Sequence, residues 1–312
     1  MSMTVKPLAS LTFLGLIHVA AFAQNERLTA RDVVERIHKN VGVPWRTETV
    51  DTFKAGNPDS PVTGIAVTMM ATLDVLERAT ASGKTLIITH EPTFYNHLDT
   101  TNNLKQQNDP VLAAKQEFIE KHGLVVWRFH DHWHARKPDG ILLGMTRALG
   151  WEKFQNPTLE HLFVLPETTL GNMAEYIKTR LSIRALRVVG DPQMKFTKVA
   201  FLPGAAGSAK QIELLERDEV EVLLIGETPE WETVEYVADA VTEHKRKALV
   251  IFGHIPSEQA GMEECARWLK TFITEVPVEF VQAPEPFWLP FGPVGSRPIS
   301  EHTRLSQTSA IR

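Results

Sequence analysis

Histidine and glutamate side chains stop three apolar runs in this sequence. TLIITHEP (85–92) carries Leu86, Ile87 and Ile88 and then His90 and Glu91. LVVWRFHDHWH (124–134) breaks into His130, His132 and His134, and ALVIFGHIPSE (248–258) ends in His254 with Glu258 four residues on. A divalent ion of the zinc, iron or manganese kind takes neutral imidazole nitrogen and carboxylate oxygen. Two such ions close together need negative charge to offset their repulsion. His90, Glu91, His134, His254 and Glu258 supply three nitrogens and two carboxylates, a set for one or two ions. His254 and Glu258 can share one face of a helical turn. His130, His132 and His134 alternate, so in extended backbone all three point one way. His130 and His132 are the candidates for orienting a substrate or transferring protons. Each piece also has a plain structural reading, such as a hydrogen-bonded loop histidine or a glutamate that favours a helix start. Three strand ends of the same kind in one chain point instead to a shared metal site.

The apolar runs read as the strands that carry these groups. Strands are expected at Gly64 to Met70, Thr85 to Thr89, Leu124 to Phe129, Leu162 to Leu165, Leu186 to Val189, Val199 to Leu202, Val220 to Ile225, 248–252 and Val278 to Val281. Helices are expected over Thr29 to His38, Leu73 to Ser82, Asp109 to His122, Asp139 to Leu149, Leu170 to Arg180, Gln211 to Arg217, Val234 to His244 and Ser257 to Ile273. Gly83, Gly123 and Gly150 mark three helix ends. WRTETVDTFKAGNPDSPV is polar, with a turn signal at Asn57-Pro58-Asp59. PGAAGSAK (203–210) matches neither a P-loop nor a dinucleotide fingerprint and reads as a tight strand-to-helix turn. Strands alternating with helices give an α/β chain with largely parallel sheets, whose functional groups gather beyond the carboxyl ends of the strands. The expected division is a 24–150 half, a 151–282 half and a Pro/Gly-rich tail, 283–312, that is extended over the body or across to a neighbour.

The bulk composition narrows the class. The chain has 312 residues, 43% of them hydrophobic and 23% charged, which suits one large domain or two smaller ones. A formal net charge of −5 gives no general attraction to nucleic acid or to an anionic membrane. Cys265 is alone, so no intrachain disulfide forms and no cysteine-rich zinc site is available. At the N-terminus, Lys6 is followed by a mostly apolar stretch from Leu8 to Ala20. Ala21-Phe22-Ala23 then matches the small-x-small cleavage pattern. Residues 1–23 thus have the layout of a secretory signal peptide, with a mature chain from Gln24 in the periplasm or outside the cell. No other segment is long enough to span a bilayer as a helix.

In these motifs the chain resembles the Nif-three-like dinuclear metal-centre proteins, some of which carry the name GTP cyclohydrolase I type 2 homologue. That family has a strand ending His-His-Pro where ITHEP stands here. It has His-Thr-x-x-Asp before a Gly-led helix ending Leu-Gly, where HDHWH and DGILLGMTRALGW stand. It has Gly-His-Tyr-x-(Ser/Thr)-Glu where GHIPSEQAG stands. Gly226-Glu227 matches a further Gly-acid pair after a strand. The resemblance runs from about Leu28 to Phe280, and it implies His90, Glu91, His134, His254 and Glu258 as metal ligands. It also implies two similar α/β halves with the metals in the cleft between them, and a hexamer built as a trimer of dimers. Two positions depart from the pattern: a family histidine is Glu91 here, and the family aspartate is His134. A carboxylate can bridge two metals and an imidazole ordinarily cannot, so a bridge would have to move to Glu258, Glu91 or a hydroxide. The family's Trp-Asp-Asn-x-Gly segment is replaced by VPWRTETVDTF.

The expected function is a metal-dependent hydrolase, mononuclear or dinuclear, acting on a small molecule and assembled as a homo-oligomer. The alternative is a non-catalytic metal-binding or assembly protein. HDHWH shares His-x-His with the metallo-β-lactamase pattern, but its order and the downstream ligands do not match.

Overall fold

A computed structural model describes residues 27–289. The expected signal segment and the last 23 residues of the tail lie outside that range. Ten strands occur among the described residues: β1 (Phe53–Ala55), β2 (Ile65–Thr68), β3 (Leu86–Thr89), β4 (Val125–Arg128), β5 (Leu162–Thr169), β6 (Arg187–Val189), β7 (Lys195–Leu202), β8 (Val222–Ile225), β9 (Ala248–Ile251) and β10 (Val278–Phe280). Around them run α1 (Ala30–Asn40), α2 (Leu73–Ala81), α3 (Asn102–Gln106), α4 (Pro110–Lys121), α5 (Asp131–Ala135), α6 (Gly140–Leu149), α7 (Leu170–Arg180), α8 (Ser208–Glu216), α9 (Glu235–Thr242) and α10 (His254–Leu269). The first sheet has the order β1-β4-β3-β2-β10 and the second β5-β7-β8-β9-β6. β10, β2, β3 and β4 are parallel, as are β7, β8 and β9, and antiparallel strands occupy only edges. The fold is therefore α/β, with two similar five-stranded sheets. β10 comes from the far end of the chain, yet Val278 pairs with Ile65, so the chain returns to complete the first sheet.

Burial on both faces explains why the strands read as continuous apolar runs. Ile65 and Val67, Leu86 and Ile88, and Val125 and Trp127 face a core between the two sheets. Ala66, Ile87 and Val126, one residue out of phase, face an outer core under α2 and α4. The second sheet repeats the scheme. Val199, Val222 and Val250 face the central core, and Ala200, Leu223 and Leu249 face an outer core with α8 and α9. Each fully buried Val, Leu or Ile contributes on the order of 1.5–3 kcal/mol relative to exposure. The central core also takes α1, α6, α7 and α10, with Cys265 as a small buried side chain. α6 and α10 cross at Gly144 and Gly261. A Cβ on Gly144 would lie 2.3 Å from the Ala260 carbonyl oxygen, so only glycine permits this approach. The crossing fixes the start of α10 against the start of α6.

Three local expectations are corrected. Residues 53–55 form an edge strand within the segment read as a polar loop, and Phe53 pairs with Trp127. Three residues are too few to show an alternation. α10 starts at His254, three residues before the expected Ser257, with Pro256 in its first turn, where no N–H is required. The third correction bears on the site: HDHWH is not extended. The Asp51 carboxylate accepts the backbone N–H groups of His130 (2.6 Å), Asp131 (2.9 Å) and His132 (2.9 Å). A helix start leaves such donors unpaired and favours negative charge, so the chain winds into α5. His130 and His134, four residues apart, then share one side, and His132 points to the other.

Candidate metal centre

The cluster stands where the carboxyl ends of β3, β4 and β9 converge. His90 and Glu91 follow β3, His130 follows β4, and α5 brings His134 back beside them. His254 and Glu258 stand one turn apart on the first turns of α10. His90 Nε2 lies 3.2 Å from His134 Nε2 and 3.7 Å from Glu258 Oε2. His134 Nε2 lies 3.8 Å from Glu258 Oε1. His254 Nε2 lies 3.1 Å from Glu258 Oε2 and 3.3 Å from Glu91 Oε1. His130 Nε2 stands 3.7 Å from Glu91 Oε1. Potential ligand atoms of His90, His130 and His134, and separately of His90, Glu91 and Glu258, lie within 4.8 Å of one another. The structure thus brings together all five residues read as ligands, with His130 as a sixth donor. His132 is not among them.

Each of the four imidazoles commits Nδ1 outward and turns Nε2 inward. His90 Nδ1 donates to the Phe129 carbonyl (3.1 Å) and His134 Nδ1 to Asp139 (2.9 Å). His130 Nδ1 donates to Asp131 (2.9 Å), and His254 Nδ1 faces Glu227 (3.3 Å). An acceptor on Nδ1 fixes the tautomer and ring orientation and leaves the Nε2 lone pair for a metal. His90 and His134 then aim lone pairs at each other, which is tolerable only with positive charge between them.

The electrostatics favour such charge. Burial would lower His254, but Glu227, Glu258 and Glu91 outweigh it and push it up to about 12. Burial lowers His134 as well, yet Asp139, Glu258 and Glu91 leave it raised. His90 goes well below its ordinary value, through complete burial and then the neighbouring histidines. Burial pushes Glu91 up, but His254, His130 and Arg128 hold it lower overall. The field that keeps a proton on His254 equally attracts a divalent cation.

Donor chemistry and spacing fit a metal. Two imidazole nitrogens each about 2.0 Å from a tetrahedral ion stand about 3.3 Å apart. The His90–His134 separation is close to that, and so are the two contacts of His254 to carboxylate oxygen. Glu258 Oε2 is buried and faces imidazole nitrogens, His254 Nε2 at 3.1 Å and His90 Nε2 at 3.7 Å, as an oxygen that shares a cation with them would. Gly204, at φ +64° in the β7–α8 turn, makes room for this carboxylate. A Cβ there would stand 2.3 Å from Glu258 Oε1. PGAAGSAK is therefore the strand-to-helix turn expected, and it walls the site. Glu258 reaches both His134 and His254, which places it between the nitrogen groups.

Several residues that build the site were not among the ligands read from sequence. Arg128, fully buried at the end of β4, donates to the carbonyls of His90 (2.9 Å) and His97 (2.6 Å) and to Glu91 Oε2 (3.2 Å). One Glu91 oxygen is thus engaged, and only Oε1 faces the histidines. An arginine inside an apolar strand run was the available clue. Asp139 doubles as the cap of α6, donated to by the N–H groups of Ile141 and Leu142, and as the acceptor for His134. Asp51, from the segment that departs from the family pattern, sets α5. Glu227 was visible only as a Gly-Glu pair after a strand.

A model of the Duf34/NIF3 (NGG1p interacting factor 3) family matches residues 26–286. The GTP cyclohydrolase 1 type 2 homolog of Clostridium perfringens is 24% identical over 253 residues, covering 74% of this chain and 88% of that protein. Among solved structures, the Staphylococcus aureus hypothetical protein SA1388 superposes with a TM-score of 0.66 at 16% identity, over 85% of this chain and 100% of the other. The Bacillus cereus protein related to NIF3 superposes with 0.65 at 15% identity, over 85% and 99%. These two likenesses concern the fold. With the family match spanning both sheets and all six cluster residues, the chain belongs to the Duf34/NIF3 family.

Proposed function

We propose that the protein is a metal-dependent hydrolase that holds one or two divalent ions of the zinc, iron or manganese kind. The observation that carries this reading is the convergence of four Nε2 atoms, each with its Nδ1 already tied to an acceptor, on two buried carboxylates. His90, His134, His254, Glu91 and Glu258 would hold the metal. A divalent ion there supplies Lewis acidity and lowers the pKa of nearby water toward neutrality. The chain's own residues do the rest. His130, with its side chain 24% exposed and Nδ1 held by Asp131, can take a proton from the site and pass it outward. Asp139 and Glu227 keep His134 and His254 in orientation. Arg128 holds one Glu91 oxygen and leaves the other toward the imidazoles.

The test is metal analysis of purified protein, followed by a hydrolase screen over phosphoesters, amides and nucleotides with and without chelator. Turnover that chelation abolishes and metal restores supports the reading. Stoichiometric metal with no turnover across the screen supports a metal-binding or assembly protein instead. We further propose export and homo-oligomer formation, with a hexamer as the family resemblance implies. Mass spectrometry of the native envelope fraction should find a chain starting near Gln24, and light scattering reads the assembly. No described helix is long and apolar enough to cross a membrane.

A further inference from the structure

A cavity of about 490 Å³ opens beside the metal centre, with Glu91 and His254 in its inner wall. Met70, Leu73, Pro92 and Tyr95 give it an apolar lining, and Thr93 and Lys115 add polar groups. Two groups there have hydrogen-bonding capacity left over. Thr93 Oγ1 is buried and makes no hydrogen bond. The Lys115 ammonium, on a residue only 4% exposed, makes one hydrogen bond, to the Thr93 carbonyl at 2.5 Å. Asp99, the acidic group that acts on Lys115 through space, makes no hydrogen bond to it. Its Oδ1 accepts the N–H groups of Thr93 and Phe94, and its Oδ2 faces Lys54 at 3.6 Å. The carboxylates in the wall, Glu91 and Glu227, are both held by His254. Burial accordingly pushes the Lys115 ammonium down to about 8. Fully buried lysines ordinarily have a charge partner.

The loop over the cavity is shaped at a conformational cost. Tyr95 sits at φ +67°, which a bulky residue avoids. Asp99 and Asn96 hold the loop through four bonds to its backbone N–H groups. The Tyr95 ring ends 5.2 Å from Lys115 Nζ and is half exposed. Backbone strain of this kind gathers at ligand clamps.

We propose that this cavity receives the substrate, a small carboxylate or phosphate monoester with a flat apolar body, and that Lys115 and the Thr93 hydroxyl bind its anionic group. The inference rests on the metal-centre reading, because the substrate's reacting end would lie against Glu91 and His254. The full chain, loaded with the ion it retains, is titrated calorimetrically with phenyl phosphate, benzoate and neutral benzyl alcohol. An anion should bind at least about tenfold tighter than the alcohol. Lys115→Met keeps the apolar stem. It should weaken anion binding about tenfold while leaving metal content and alcohol binding unchanged. Thr93→Val should weaken it about threefold, and it decides the matter if Lys115→Met does not fold. The anion that loses more to Lys115→Met identifies the class, carboxylate or phosphate. Repeating the titration after chelation separates the two readings. Anion binding that survives chelation and still depends on Lys115 upholds the cavity even where no metal is found. Binding that is lost on chelation but indifferent to both substitutions, or an alcohol that binds as well as the anions, overturns the proposal.

Discussion

His134 and His132 leave the same five-residue helix on opposite sides and enter two different buried clusters. On the His132 side both ring nitrogens are matched. His132 Nδ1 donates to Asp51 (2.7 Å), its Nε2 accepts the Arg46 N–H (2.9 Å), and its ring stacks on Trp45 with centroids 3.6 Å apart. Trp45 stacks in turn on His38, also at 3.6 Å. On the His134 side the inward nitrogens face only one another and carboxylate oxygens, with His90 Nε2 3.2 Å from His134 Nε2 and His254 Nε2 3.1 Å from Glu258 Oε2. Histidine, aspartate or glutamate, and burial are common to both regions. They differ in whether the last lone pair is satisfied. A buried polar group left open costs on the order of 1–3 kcal/mol, so one cluster is complete within the protein and the other has the donor set to take up a cation. This is also why His132, read from sequence beside His130 as a proton carrier, has no free nitrogen for that task.

The comparison can be broken most sharply at the open cluster. His254→Ala and Glu258→Ala each remove a group that faces two or more other donors. Metal affinity should fall on the order of a thousandfold, beyond the ~10–100-fold that loss of an outer hydrogen-bond partner costs. Metal content after dialysis reads this directly, and wild-type content in both variants would show that the site is misplaced. The closed cluster should respond in the other currency. His132→Ala empties a stacked site and strands part of Asp51, so it should destabilise the fold by about 3 kcal/mol in urea titration. Below its unfolding transition it should keep full metal content, and a His132 variant that lost metal while staying stable would erase the distinction.

Asp139→Asn tests how far the open cluster depends on its outer partners. The amide keeps its size but no longer offers a carboxylate to His134 Nδ1, and affinity should drop about 10–100-fold with little loss of stability. The smallest effect concerns the second ion. Wild-type protein should bind one ion tightly and a second more weakly in zinc or manganese titration, because position 134 offers no bridging anion. His134→Asp supplies one and should tighten the second ion a few-fold, although it removes a nitrogen ligand. Adding Glu91→His would complete the family's ligand set, but the structure shows a cost. Buried Arg128 would lose its carboxylate, and breaking such a pair costs about 3–5 kcal/mol. Two equally tight ions in the wild type would mean that Glu258, set between the nitrogen groups, already bridges them.

Much of this molecule was legible residue by residue. The strands at 65–68, 86–89, 125–128, 222–225 and 248–251 follow from apolar runs buried on both faces. Gly150, left-handed at φ 68°, ends α6 where its position predicts. His90, Glu91 and His254 were identifiable because each follows such a run closely, and Glu258 because it lies four residues after His254; strand ends are where loops leave a parallel sheet. These are local facts, fixed by alternation, by glycine's tolerance of positive φ and by ligand chemistry. What needed the tertiary structure was every decision made by a residue far away in sequence. Asp51, some 80 positions before the histidines it meets, turns HDHWH from extended chain into helix and so separates His132 from His130 and His134. Phe129 and Glu227 orient His90 and His254 from far along the chain, and Arg128 decides which Glu91 oxygen remains. Periodicity reports the face on which a side chain lies. The partner that saturates its last lone pair is set only when the sheets and helices close around it.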